Sequence, residues 1–280
     1  MNPLLHLGYS PCPNDTFIFF ALAEGRIDLS PYSLRLLIAD VEALNRHAAD
    51  GSLDITKVST HAILSLLDDY WLLAAGGAIG RGCGPLVVAR TGMSVTELQH
   101  ASIAIPGRMT TAHLLLRLEG THRGPRVEMS FDHIMPAVAQ GEVDAGVIIH
   151  ESRFTYPLWG LKLVLDLGAW WEEETGFPLP LGGIVIKRNL GTGAARFWED
   201  RIRQSLLYAR NHPDEAFPYI RSHAQEMDAR VMQQHVDMFV NDFSLDMGTE
   251  GREAVRFLLE AAARTHKFQL PMKPFFWNET

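Results

Sequence analysis

The chain has 280 residues, 47% hydrophobic and 21% charged, the balance of a soluble globular protein long enough for one large or two modest domains. Its formal net charge of −8 argues against a general nucleic-acid binder, which needs a basic face, but leaves room for a local positive pocket. Two cysteines, Cys12 and Cys83, stand far apart without metal-ligand spacing, so neither a disulfide framework nor a metal site is expected.

No apolar run reaches the roughly 18 residues of a membrane span. The segment MNPLLHLGYSPCP lacks the basic start and long apolar core of a secretory leader. A cytoplasmic protein with no membrane partner is therefore expected.

In chain order, Leu4 to Gly8 predicts a first strand and Ser10-Pro-Cys-Pro-Asn-Asp-Thr16 the turn after it. Asn14 or Asp15 is expected to cap a helix through Phe17, Phe20, Ala21 and Leu22, with Gly25 at its end. Cys12 reads as a packed small residue. Leu34 to Ile38 predicts a second strand, Asp40 the cap of a helix over 41–49, and Leu53 to Val58 a third strand finishing in Ser59 and Thr60. A helix from His61 to about Asp68 follows, then strand character over 72–75.

The glycine-rich segment 76–85 does not match a phosphate-binding fingerprint and reads as a flexible lead into a strand at Leu86 to Ala89. Ser102 to Ile105 predicts another strand, and Pro106 to Thr111 the opening of a helix through Leu118. Strands are further expected at Val127 to Phe131, Leu161 to Leu165 and Gly182 to Lys187, with a helix over about 132–139 and a short helix or turn at 170–175. Beyond 190 the pattern is helical, with amphipathic stretches around 194–210, 213–222, 228–240 and 249–265. These helices either pack on the first lobe or pair with another subunit in a homodimer.

The most informative stretch is Gly141 to Arg153, GEVDAGVIIHESR. Its apolar run Val143 to Ile149 reads as a strand buried on both faces, and it stops abruptly at His150, Glu151, Ser152 and Arg153. Ligands of open α/β sheets bind beyond the carboxyl ends of the strands. A histidine there can exchange a proton near neutral pH, since an unperturbed imidazole titrates at about 6.5. The bland alternative is a strand-end histidine bonded to a carbonyl.

Two features give the chain its organisation. Segments 51–60 and 141–150, GSLDITKVST and GEVDAGVIIH, share a glycine, an aspartate three residues on and an apolar strand ending in polar residues. Leu86 to Arg90 and Ile184 to Arg188 are similar short strands flanking a stretch of domain size. Together they predict an α/β protein of two related lobes, the second inserted in the first through paired crossing strands. The expected boundaries put residues 1–88 and 186–280 in the first lobe and 89–185 in the second, with the ligand between them. Thr110 and Thr111 open a helix after Gly107, whose amides and hydroxyls suit an anion. Equally, they are ordinary helix caps.

SPCPNDTF at 10–17, GSLDITKVS at 51–59, PGRMTTAHLLL at 106–116 and GVIIHESR at 146–153 resemble the 1,4-dihydroxy-6-naphthoate synthases of the futalosine route to menaquinone. The resemblance runs in motif order from residue 1 to about 190. It implies a type II periplasmic-binding-protein-like fold and a lyase without cofactor, which cleaves cyclic dehypoxanthine futalosine, a small carboxylated molecule. It also implies that His150 is the proton acceptor and that Lys57 and Ser59 contact the substrate, whose aromatic carboxylate suits the helix start at Thr110 and Thr111. Two other readings stand beside it: the chorismate dehydratase of the same route, and a solute-binding protein that releases a small anion unchanged.

Overall fold

A computed structural model describes residues 3–90, 92–225 and 228–279. Its strands are β1 (Leu4–Tyr9), β2 (Ser33–Ile38), β3 (Ile55–Ser59), β4 (Tyr70–Leu72), β5 (Ala78–Gly80), β6 (Leu86–Ala89), β7 (Ile103–Ile105), β8 (Arg126–Glu128), β9 (Ala145–Ile148), β10 (Lys162–Asp166) and β11 (Leu179–Lys187). They form two sheets. The first runs β2-β1-β3-β11-β4, with β5 also paired to β11, and the second β10-β6-β9-β7-β8.

The inner strands β3 and β9 carry apolar side chains on both faces. Ile55, Val58, Val147 and Ile148 are all wholly buried, each worth about 1.5–3 kcal/mol relative to exposure. The two sheets repeat one plan. β1 pairs in parallel with β2 and β3, and β7 pairs in parallel with β8 and β9. An antiparallel strand then lies against the inner one, β11 against β3 and β6 against β9. The echo between 51–60 and 141–150 therefore falls on strands with the same place in their sheets.

The crossing between lobes differs from the expected one. Leu86–Ala89 lies wholly in the second sheet and Leu179–Lys187 wholly in the first. The chain therefore changes lobe over residues 81–85 and 167–178, not within paired strands at 86–90 and 184–188. An apolar pattern marks a buried strand but does not say in which sheet its neighbours lie. At the crossing, a Cβ on Gly84 would stand 2.2 Å from the Gly168 Cα. The Leu167 amide donates to the Pro85 carbonyl at 3.0 Å. Glycine is required here for close backbone approach rather than for flexibility.

The first helix also starts differently. It spans Pro13–Ala23 with Cys12 at the cap position, so Asn14 and Asp15 sit inside the first turn and cap nothing. Proline tolerates the first helical position because its missing N–H is not needed there. Both polar residues are thereby buried beside the cleft. Helices Gly191–Asn211, Pro213–His223 and Ala229–Phe239 pack through Trp198, Leu206, Ile220 and Val236 on the Phe17 to Leu22 face of this helix. The last helix, Gly248–His266, joins a core cluster drawn from both lobes through Leu258, Leu259 and Ala262.

Candidate active site

Between the two sheets lies a cleft with about 700 Å³ of empty volume, counting its open mouth. His150, Lys57, Ser59, Thr110 and Thr111 all line it, together with Ser10, Asn14, Asp15, Arg153 and His235. The ends of β3 and β9 thus open on one space, as strand ends of α/β sheets do.

His150 stands two residues beyond β9 in a left-handed turn, at φ 56°. Histidine is among the few non-glycine residues enriched in that conformation. Its ring meets Phe131 edge-on, with centroids 5.0 Å apart. Its Nε2 is buried without a hydrogen-bond partner among the described residues. The reading of His150 as a carbonyl-bonded strand end therefore lacks its carbonyl at Nε2. A buried polar atom left open is costly unless something else fills the site.

Lys57 is not a free cation. Its Nζ lies 3.0 Å from Asp15 Oδ1 and donates to the Gly76 carbonyl at 2.8 Å, and both side chains are about 95% buried or more. Asp15 also accepts from the Ser10 amide at 3.2 Å, the Ser10 hydroxyl at 2.7 Å and Asn14 Nδ2 at 3.0 Å. Burial is tolerable because each charge is paired and hydrogen-bonded.

The threonine hydroxyls are likewise committed. Thr110 Oγ1 donates to the Gly107 carbonyl at 2.8 Å and accepts the His113 amide at 3.2 Å, the cap of helix Thr111–Glu119. Thr111 Oγ1 donates to the Leu181 carbonyl at 2.7 Å and accepts the His61 amide at 3.3 Å, tying the lobes together. What the cleft does offer is the pair of amides of Thr111 and Ala112, with no acceptor among the described residues. Ser59 Oγ accepts from Asn45 Nδ2 at 3.1 Å, which leaves its own proton free to donate.

His235, from helix Ala229–Phe239, was not a candidate by sequence. It is 1% exposed, and its Nε2 is 2.9 Å from Asn14 Oδ1. Because Asn14 Nδ2 already donates to Asp15, Oδ1 is the acceptor and the His235 proton sits on Nε2. The opposite edge, Nδ1, faces Glu151 Oε2 at 3.7 Å. His235 also stacks on His150 at 6.0 Å between centroids and 23° between planes. Burial first, and then the His150 charge, hold its pKa well below the ordinary histidine value.

Three other residues have structural duties. The Arg153 guanidinium donates to the Gly84 carbonyl and lies 3.5 Å from Asp166, bracing both crossing segments. Cys12 is buried, and burial pushes its thiol well above its ordinary pKa, which disfavours the reactive thiolate. Trp171 is fully buried, its indole N–H donating to the Pro178 carbonyl at 3.3 Å, and it takes no part in the cleft. Among the described residues no group of acidic, histidine and cysteine side chains is arranged to hold a metal ion, and no helix is long and apolar enough to cross a membrane.

Two lobes of one plan, joined by two crossings around a cleft, define a periplasmic-binding-protein-like fold. The periplasmic aliphatic sulphonate binding protein SsuA from Escherichia coli matches it with TM-score 0.65 at 13% identity, over 98% of this chain and 96% of that one. Within that fold the chain belongs to the menaquinone biosynthesis family, whose model matches residues 5–264. Proteins named 1,4-dihydroxy-6-naphtoate synthase are 54% identical in Thermus thermophilus, over 93% of this chain and 94% of the relative. In Streptomyces coelicolor the figures are 46%, 92% and 93%.

Proposed function

We propose that the protein is a 1,4-dihydroxy-6-naphthoate synthase. In this reading it is a cytoplasmic carbon–carbon lyase that cleaves cyclic dehypoxanthine futalosine with His150 as general base. The observation that carries this reading is the His150 imidazole lining the inter-lobe cleft, with its buried Nε2 unpartnered among the described residues. A base must reach the proton it removes before its pKa matters, and among the described residues no donor competes for that nitrogen.

His150 takes a proton from a carbon beside a carbonyl, the carbon–carbon bond breaks, and the ring system aromatises. Aromatisation supplies much of the driving force, and general-base catalysis contributes typically about 10²–10⁴-fold. The substrate carboxylate takes the open amides of Thr111 and Ala112, with the Ser59 hydroxyl as a further donor. Thr110 serves by capping the helix that aims those amides, and Lys57 by its remaining N–H.

Mass spectrometry after incubation with cyclic dehypoxanthine futalosine tests the assignment. Appearance of 1,4-dihydroxy-6-naphthoate supports it. Turnover of chorismate instead assigns the dehydratase, and intact substrate recovered from a tight complex assigns a binding protein.

A further inference from the structure

Three of the six buried side-chain polar atoms without a partner, among the described residues, come together in one place: His150 Nε2, His235 Nδ1 and Glu151 Oε2. The last two face one another at 3.7 Å. With the His235 proton fixed on Nε2 by Asn14, its Nδ1 presents a lone pair. An ionised carboxylate opposite it would set two acceptors face to face in a dry site. One proton between them turns that repulsion into a hydrogen bond. The surrounding groups are Cys12 and Asn14 on the first helix and its turn, Asp15 beyond Asn14 with Lys57 on β3, and His150 and Arg153 after β9. Asp15 and Lys57 neutralise each other, and Arg153 is turned to Gly84 and Asp166.

We propose that Glu151 and His235 form a second proton carrier of the reaction, with His235 as the group that returns a proton to the departing fragment. The proposal rests on the lyase reading above. In that reaction the pair from the broken C–H bond forms the ring's new double bond. The pair from the broken carbon–carbon bond leaves on the fragment, whose carbon must take up a proton. One proton is removed and one delivered, with no net oxidation. His150 takes the first. His235 delivers the second from Nε2, letting go of Asn14 Oδ1, while Nδ1 receives the proton shared with Glu151. The imidazole passes a proton edge to edge without turning its ring. On product release the proton held by His150 restores the pair through solvent. Hydrogen bonds of this kind are often long before substrate arrives and tighten in the complex.

Glu151→Gln separates relay from support. The amide fills the same space and offers an N–H to His235 Nδ1, but has no proton to pass. A relay predicts kcat lower by about 10²-fold or more with KM little changed, and His235→Gln lower by a similar factor. A supporting role predicts near-wild-type kcat for Glu151→Gln, and that result overturns the proposal. A second readout needs no turnover: histidine ¹⁵N spectra of the intact wild-type protein. His235 Nδ1 is expected to be protonated or hydrogen-bonded, and to become a free lone pair in Glu151→Ala. A free lone pair already in the wild type refutes the shared proton. Absence of wild-type turnover with the shared proton present refutes the lyase reading, and with it the delivery step, while keeping the proton pair.

Discussion

Replacing Lys57 by methionine asks whether its ammonium serves the substrate or the fold. The Lys57–Asp15 separation of 3.0 Å corresponds to an attraction of about 5 kcal/mol at an effective dielectric of about 20. Desolvation of both charges offsets much of that in the intact protein. Removing one partner leaves the other charge buried and costs about 3–5 kcal/mol. Three hydrogen bonds from Ser10 and Asn14 remain on Asp15, which places Lys57→Met near the lower end of that range. For a chain of this size the melting temperature should fall by about 6–12 °C. Lys57→Met with Asp15→Asn removes both charges and should recover more than half of the loss. Calorimetric or denaturant unfolding of the three variants reads this directly. A single variant that costs less than about 1 kcal/mol, or a double variant no better than the single, would refute a stabilising buried pair. Substrate affinity in the double variant then reports what the remaining Lys57 N–H contributes to binding.

Other substitutions divide chemistry from scaffolding. His150→Ala should lower kcat by at least about 10²-fold while substrate affinity stays within about tenfold, measured by single turnover and equilibrium binding. Thr110→Val should cost about 1 kcal/mol of stability through the lost cap, read as a shift in the urea midpoint, and should alter affinity only through the aim of the helix. His61 donates from Nδ1 to the Thr110 carbonyl at 3.2 Å and, held down chiefly by burial and then by His266, titrates at about 4. The unfolded chain takes up that proton first, so the stability from an uncharged His61 is full above about pH 6.5 and falls by up to about 3 kcal/mol as pH drops toward 4. His61→Gln should flatten the pH dependence of the urea midpoint across that window.

The parts of the site that could be read from the sequence are those that one strand carries. The run before His150 is apolar on both faces, and the run before Ser59 sets Ile55 and Val58 on opposite faces, so both mark inner strands, and polar residues after them mark a cleft. The echo of 51–60 by 141–150 shows in the paired plans of the two sheets. What stayed hidden is set by partners far away in the chain. Asp15 looks like a cap until Lys57, 42 positions on, is seen to hold it. His235 lies 221 positions from Asn14, on a helix whose pattern announces only an amphipathic face. The Thr110 and Thr111 hydroxyls have the right type for anion binding, but short-range geometry gives one to its own cap and the other to Leu181. Their backbone position was informative where their side chains were not.

The electrostatics of the cleft follow from the same pairings. Lys57 is neutralised by Asp15 and Arg153 is engaged with Asp166 and Gly84, so neither charged side chain faces the cavity unpaired. On the proposed reaction, substrate and product carry the same carboxylate. A strong cation gripping that group would bind both equally, lowering KM and slowing product release without lowering the barrier. Neutral donors at a helix start hold the anion more weakly and let it go. The groups that distinguish substrate from transition state are then the ones that exchange protons, His150 and the pair behind it, and it is there that kcat should be sensitive to single-atom changes.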